Sequence, residues 1–268
     1  MFKSTIEGLL TELQTLYATI GEATFITADI TTFAGGNLYN AVVACLQTVV
    51  QPIAYAVFGL FCLMEMVRIT TRVEGAGGGT SMGAEQIIRF LIKAAIFKVV
   101  IDHSLDIMTA IIGFVQGLGT QISAKLPSAS GNLIFDTIDT SNLTIGEQIG
   151  TLIKLLPVYL GVWVLRAIAT VITVGRIIEI YIYVAVAPLP LATLGSEDLG
   201  SVGKNFLKSF IAVCLSGVFM LLVISFYPYL ANATLNGFGI FGGLFCSILL
   251  VLALARCGSW AKSICNAM

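Results

Sequence analysis

His103 is the single histidine of the chain, and it stands in the string Asp102-His103-Ser104-Leu105-Asp106. Asp102 and Asp106 are four residues apart and share a helical face. An imidazole beside two carboxylates can relay a proton or hold a cation inside a membrane. Lys98 lies four residues before Asp102 and offers a plainer use, a structural ion pair. One His and two Asp make a thin ligand set, so Lys98, Asp102, His103 and Asp106 are read as an intramembrane polar cluster, with no metal.

A second polar row lies farther along. Arg166, Thr170 and Thr173 fall on one helical face with Tyr159 above them, Arg176 lies farther round, and Glu179 is within i,i+3 reach of Arg176. A charge at the bilayer centre costs ~2.5–3.5 kcal/mol. This seam must therefore face other helices, a subunit interface or a wet lumen. The structural alternative is an Arg176–Glu179 pair with Arg166 snorkelling to the interface. No nucleophile–base pair and no GxxxxGK[ST] loop occurs. The run Gly75-Ala76-Gly77-Gly78-Gly79 follows an apolar helix rather than a strand, so it reads as a hinge and not as a phosphate cradle. The six cysteines form no CxxC pair and read as small buried hydrophobes. No catalytic residue is assigned, the chain is read as non-enzymatic, and no cofactor is expected beyond a bound phospholipid.

The elements that carry these residues follow from charge. The 268 residues are 57% hydrophobic and 11% charged, against about 25% charged in a typical soluble domain. Mean hydropathy is +0.96. That excludes a soluble enzyme, a disordered chain and an electrostatic nucleic-acid binder. Residues 30–64, 107–124 and 209–255 carry no Asp, Glu, Lys or Arg, and ~20 apolar residues cross the hydrocarbon core. Strict apolar–polar alternation is missing, so the spans are helical rather than strands of a barrel. They are placed near Ala41–Met64, Val99–Leu118, Leu155–Ala187, Ser209–Tyr227 and Phe238–Ala255. The third is too long for an upright helix and must tilt, kink or divide into a hairpin. It ends at Pro188 and Pro190, which break the helix.

Basic residues gather in cytoplasmic loops. They follow the first and third spans and the last one: Arg68, Arg72, Arg89, Lys93 and Lys98, then Lys204 and Lys208, then Arg256 and Lys262. The expected fold is an all-α polytopic transmembrane bundle of about five spans, N-terminus outside and C-terminus inside. Residues 1–37 form an external amphipathic helix and linker. Residues 38–118 hold two spans joined by a Gly-rich cytoplasmic loop (68–86), 119–146 form an external loop, and 147–268 hold three spans and a short cytoplasmic end. Residues 1–20 lack the apolar centre of a cleavable signal. Ile6, Leu9, Leu10, Leu13, Tyr17 and Ile20 instead follow helical spacing, with Ser4 and Glu7 as a capping box. Its acidic face suits packing on the bundle or docking to a partner. Candidate docking residues are Glu7 and Glu12 here, and Leu133 and Phe135 in the external loop. Gly113/Gly117 and Gly239/Gly243 have small-residue spacing that lets helices approach closely.

This layout resembles the TrbL-like polytopic inner-membrane subunits of type IV secretion and conjugation machines. The resemblance rests on the order of spans and polar loop, and on the string Arg176-Ile177-Ile178-Glu179-Ile180-Tyr181-Ile182-Tyr183-Val184-Ala185-Val186-Ala187-Pro188-Leu189-Pro190-Leu191-Ala192. It is similar to the family's long apolar helix ending in a Pro-containing turn. The resemblance implies a multi-pass bacterial inner-membrane subunit that assembles as a ring-like homo-oligomer. It implies contact with lipid and with other secretion subunits, and only transient contact with transferred DNA or protein. No small-molecule substrate is expected. A small-solute transporter or ion channel using Asp102, His103, Arg166 and Glu179 is the competing reading. A membrane-embedded enzyme ranks below both.

Overall fold

A computed structural model describes residues 2–20, 36–75, 80–125, 145–196, 199–238 and 240–266. The chain is an all-α polytopic helical bundle. Helix α1 is Phe2–Ile20. Helix α2 (Asn37–Cys45) passes through a π-helical turn (Leu46–Val50) into α3 (Gln51–Gly75). Helices α4 (Thr80–Asp102) and α5 (Ser104–Lys125) follow. Then come the 42-residue α6 (Ile145–Val186), the short α7 (Pro188–Ala192) with a 3-10 turn (Thr193–Gly195), α8 (Gly200–Phe238) and α9 (Ile240–Ile264).

Among the described residues, five helical segments are long and apolar enough to cross a membrane: Asn37–Arg72, Ser104–Ile122, Ile149–Val186, Gly200–Tyr227 and Phe241–Ile264. Each overlaps one expected span, and four of the five are longer than expected. The Gly-rich connection shrinks because α3 continues to Gly75 and α4 starts at Thr80. Charges expected to mark a loop sit on helices, where Glu65 meets Arg68 at 3.5 Å and Glu85 meets Arg89 at 2.6 Å. Such i,i+3 and i,i+4 pairs support a helix. Residues 227–237, expected as a loop, are helical to the end of α8. The third span is one helix, not a hairpin, and holds Pro157 inside it. Helix α1 starts at Phe2, which puts Ser4 within its first turn rather than at its cap.

Two local irregularities have clear causes. Gly36 precedes α2 with φ 76°, a left-handed conformation that glycine adopts without strain. In the π turn, the Gln51 N–H donates to the Leu46 carbonyl, five residues back. A proline ring clashes with the carbonyl four residues before it in an α-helix.

The chain divides into two compact units. One comprises Met1–Ala28, Val115–Ile177 and Leu215–Ala261. Its core joins Leu13 of α1, Leu155, Val158, Val162 and Ala169 of α6, Met220, Ile224 and Tyr227 of α8, and Cys246, Leu250, Leu254 and Cys257 of α9. Leu9 and Leu10 pack against the same cluster. Ile6, Leu9, Leu10 and Leu13 of the amphipathic stripe of α1 are therefore spent inside the chain.

The other unit comprises Asp29–Phe114, Ile178–Cys214 and Lys262–Met268. Its α3 and α4 form an antiparallel hairpin, in which Ala54 and Ile101 pack with Ala192 of α7. Gly195 lies between Phe58 and Phe97, and a Cβ there would stand 3.2 Å from the Phe97 ring. Tyr183 stacks on Phe206 and Phe210, with ring centroids 5.4 and 5.9 Å apart. The α7 turn is clamped from its other side by Gly203, whose added Cβ would lie 2.7 Å from the Pro190 carbonyl oxygen.

The burial of α1 has a measurable consequence. Leu13→Ala should destabilise the detergent-solubilised protein by about 2–5 kcal/mol, the range for emptying a buried Leu site. Gly8→Ala, at a position with nothing within 4 Å, should stabilise it by about 0.5–1 kcal/mol through lower chain entropy. Thermal unfolding followed by circular dichroism reads both signs.

Candidate functional site

The polar row on α6 is not one continuous seam. Thr170 is exposed, and its hydroxyl donates to the Arg166 carbonyl at 3.0 Å. Thr173 is buried, and its hydroxyl donates to the Ala169 carbonyl at 3.0 Å. Both hydroxyls are thus satisfied within their own helix, as apolar surroundings demand. Arg166 is partly exposed one turn before Thr170. Arg176 is used differently. Its guanidinium fills the space that a Cβ would occupy on Gly258 of α9. The glycine lets a bulky cation lie directly against the α9 backbone, beside Cys257. Glu179 is partly exposed, one turn before Tyr183. Arg176 therefore serves helix packing, while Arg166 and Thr170 leave a polar edge on the same helix.

Neighbouring helices carry a buried polar contact that charge placement alone does not reveal. The Tyr227 hydroxyl of α8 and the Ser247 hydroxyl of α9 are 3.2 Å apart. Ser247 also donates to the Gly243 carbonyl at 2.9 Å. The Cys246 thiol lies 4.0 Å from the Tyr227 carbonyl. A phenol fixed by a serine across two apolar helices sets their register, because an unpaired hydroxyl there would cost free energy. The visible signal is Tyr227 and Ser247 inside a run without charge.

The cluster around His103 is divided between two helices. Helix α4 ends at Asp102 and α5 begins at Ser104, with His103 at the break. Hydrogen bonding carries across it: the His103 N–H donates to the Val99 carbonyl and the Ile107 N–H to the His103 carbonyl, both at 3.0 Å. His103 Nδ1 is 2.8 Å from Asp106 Oδ2. Asp102 takes a different partner from the one its spacing suggests. The Tyr55 hydroxyl of α3 donates to it, and Gln51 Nε2 donates to the same hydroxyl at 3.0 Å. Lys98 is exposed and makes no ion pair with Asp102 among the described residues. Tyr55 wins because the antiparallel hairpin brings its hydroxyl to Asp102, while the Lys98 ammonium stays outside. Gln51 and Tyr55 are the missed members. Their trace in the sequence is two polar groups four apart in the otherwise charge-free stretch 30–64. The Ser104 hydroxyl next to this group is buried without a hydrogen-bond partner.

Pro188 and Pro190 lie in α7, where the chain turns between the third and fourth spans. Pro188 takes the first helical position, where a missing N–H costs nothing. The Thr193 hydroxyl caps the Pro190 carbonyl at 2.7 Å. On α1, Glu7 is exposed and its carbonyl accepts the Thr11 hydroxyl at 2.8 Å. Glu12 is in hydrogen-bonding contact with the Tyr159 hydroxyl of α6. Leu133 and Phe135 lie outside the described residues. Of the cysteines, Cys214, Cys246 and Cys257 are buried, Cys62 and Cys265 are partly buried, and Cys45 is exposed. No three His, Cys, Asp or Glu side chains gather as a metal set among the described residues.

The fit of Arg176 on Gly258 can be tested by substitution. Gly258→Ala should destabilise the protein by about 1–3 kcal/mol, the range for overpacking. Gly175→Ala meets open space and should not. Pairing Gly258→Ala with Arg176→Ala should restore about 0.5–3 kcal/mol relative to the sum of the single changes, the usual coupling for residues in contact. Denaturant unfolding of the four proteins measures it.

Comparison with known families accounts for this arrangement. Residues 23–188 match the family described as TrbL/VirB6 plasmid conjugal transfer like protein. The match runs from before α2 through the first two spans, the hairpin and all of α6, ending at Pro188. Searches of curated proteins and of solved structures found no match. A match over more than half of the chain, on an all-helical polytopic fold, places this protein in the TrbL/VirB6 plasmid conjugal transfer-like family.

Proposed function

We propose that this chain is a non-enzymatic inner-membrane subunit of a conjugative type IV secretion apparatus, and that it forms part of the channel or assembly platform for DNA or protein transfer. The family match over residues 23–188 carries this reading. The N-terminus is external and the C-terminus cytoplasmic. Basic residues support that orientation, since they gather after the first, third and last spans. The chain works as a ring-like homo-oligomer alongside other secretion subunits, and needs no cofactor.

The geometry supports an oligomer through two observations. Arg166 is a partly exposed charge on a membrane helix, which a neighbouring subunit or a wet lumen would satisfy. Gly113 and Gly117 on α5 have no packing neighbour within 4 Å, so a second helix could approach there closely. The acidic α1 is tied to its own bundle through Leu13 and Glu12. That leaves its exposed Glu7 side to meet an external partner.

Three measurements test this reading. Deleting the gene from its conjugative element should abolish transfer while leaving nicking of the transfer origin intact. Unchanged transfer overturns the assignment. Arg166→Leu should lower transfer frequency far more than Lys125→Leu, and equal tolerance would reduce Arg166 to a packing role. A membrane-impermeant thiol reagent should label Ser128→Cys but not Gly78→Cys in intact cells, and the reverse pattern inverts the orientation.

A further inference from the structure

The first span is longer than the membrane it enters. Asn37–Arg72 has 36 residues, about 54 Å as a helix, against a hydrocarbon core ~30 Å thick. The stretch from Asn37 to Phe58 alone is about 33 Å long and suffices for the crossing. The remainder of α3 stands beyond one membrane face.

Contacts within the same unit mark where that face lies. The third span ends at Val186 and the fourth begins at Gly200, so α7 and the 3-10 turn between them lie at a membrane face. Gly195 of that turn lies between Phe58 of α3 and Phe97 of α4. Ala192 of α7 packs with Ala54 and Ile101. Both arms of the hairpin thus pass the membrane face near Phe58 and Phe97. From there α3 runs on to Gly75, about 25 Å farther, and α4 returns from Thr80. This outer length carries Arg68, Arg72, Glu85, Arg89 and Lys93. Helix α4 is not among the segments long and apolar enough to cross, as befits an arm in water.

Two faces of the arm are nevertheless apolar and uncovered. On α3, Leu60, Leu63 and Val67 are exposed, Leu63 by 68% and Val67 by 64%. On α4, Ile88, Leu91 and Ile92 are exposed, Ile92 by 58%. Their spacing of three and four residues lines each set along one side of its helix. A large apolar patch on a surface that water reaches marks a protein contact. Lipid does not reach an arm that stands clear of the bilayer.

Height and charge select a second copy of this chain as the partner. Copies arranged in a ring about the membrane normal stand at equal height and set unlike faces against each other. The Tyr55–Asp102 hydrogen bond fixes relative height on the two arms. Counted from that bond, Arg72 on α3 and Glu85 on α4 are equally far out, and both are exposed. Val67 is within one residue of level with Leu91. An α3 face laid on a neighbour's α4 face therefore matches apolar to apolar and cation to anion. Packing α3 on α3 would instead oppose Arg72 to itself, a like-charge penalty. One contact repeated around the ring covers both faces.

We propose that, in the ring-like homo-oligomer on which this inference rests, the α3 face of one copy (Leu60, Leu63, Val67) docks on the α4 face of the next (Ile88, Leu91, Ile92), with Arg72 opposite Glu85. The arms close into a collar of helices beyond the membrane face.

The test co-expresses two differently tagged full-length chains, both carrying Cys45→Ser, Cys62→Ser and Cys265→Ser to remove the cysteines that are not buried. One adds Val67→Cys and the other Leu91→Cys. A short, membrane-permeant bismaleimide applied to isolated membranes should link the two chains to each other at least fivefold more than it links either variant to itself. Equal self-linking of either variant overturns the α3-to-α4 contact. No linkage in a protein that still migrates as an oligomer on native gels overturns the hairpin interface and leaves the oligomer standing. Migration as a monomer overturns the oligomer itself. Arg72→Glu in the Val67→Cys chain should lower the linkage about two- to fivefold, and Glu85→Arg in the Leu91→Cys chain should restore it. Linkage indifferent to Arg72→Glu overturns the assigned register.

Discussion

Hydrocarbon offers no hydrogen bonds, so a backbone that departs from the α-helix inside it must find partners within the chain. The described chain meets this demand at the π turn and at the end of α6, and it keeps α-helical bonding through the join at His103. At the π turn, the Gln51 N–H reaches back five residues to Leu46. At His103, backbone bonds to Val99 and from Ile107 hold the join together. At the end of α6, the Ala187 N–H donates to Val184 and the Leu191 N–H to Ala187, both at 3.3 Å. Pro188 sits at the first position of α7, where a missing donor does least harm. The rest of the fold depends on these satisfied joins, because they keep the long apolar helices free of bare amides.

The same scarcity governs side chains. Hydroxyls inside the spans turn to their own backbone, as Thr170, Thr173 and Ser225 do. Among the described residues, three polar contacts each join two named helices. Tyr55 to Asp102 ties α3 to α4, Tyr227 to Ser247 ties α8 to α9, and Glu12 to Tyr159 ties α1 to α6. Three tyrosines thus each take part in a specific contact between helices of a largely apolar bundle. A ring that is mostly hydrophobic with one polar tip can sit in such a core and still name its partner. Contacts of this sort hold the chain's own helices and leave the Arg166 side chain partly exposed on the α6 edge.

Glycine supplies the complementary device. Gly258 yields its surface to the Arg176 guanidinium, Gly203 to the Pro190 carbonyl, and Gly195 to two phenylalanine rings. Between membrane helices there is little hydrophobic drive, and close van der Waals approach is what stabilises association. These three glycines were indistinguishable in sequence from the other 24. Gly113 and Gly117 had the more recognisable spacing, yet they face open space. Spacing reports that a helix can be approached; only coordinates show which side is already occupied.

Charge-free runs longer than a bilayer crossing announced the five spans, because no soluble surface can be built from them. Pro188 announced the end of the third helix, because a proline cannot donate. The order of spans and the long helix ending in prolines also made the family legible. Connections were read less well. Charges at 65–98 and asparagines at 232–236 suggested loops, but ion pairs and continuing backbone bonds keep those segments helical. Pairing was beyond the sequence altogether. Lys98 stands one turn from Asp102, yet Tyr55, 47 residues away, takes the carboxylate. Local spacing fixes which residues share a helical face. Which face meets which helix is settled by packing over distances that periodicity does not encode.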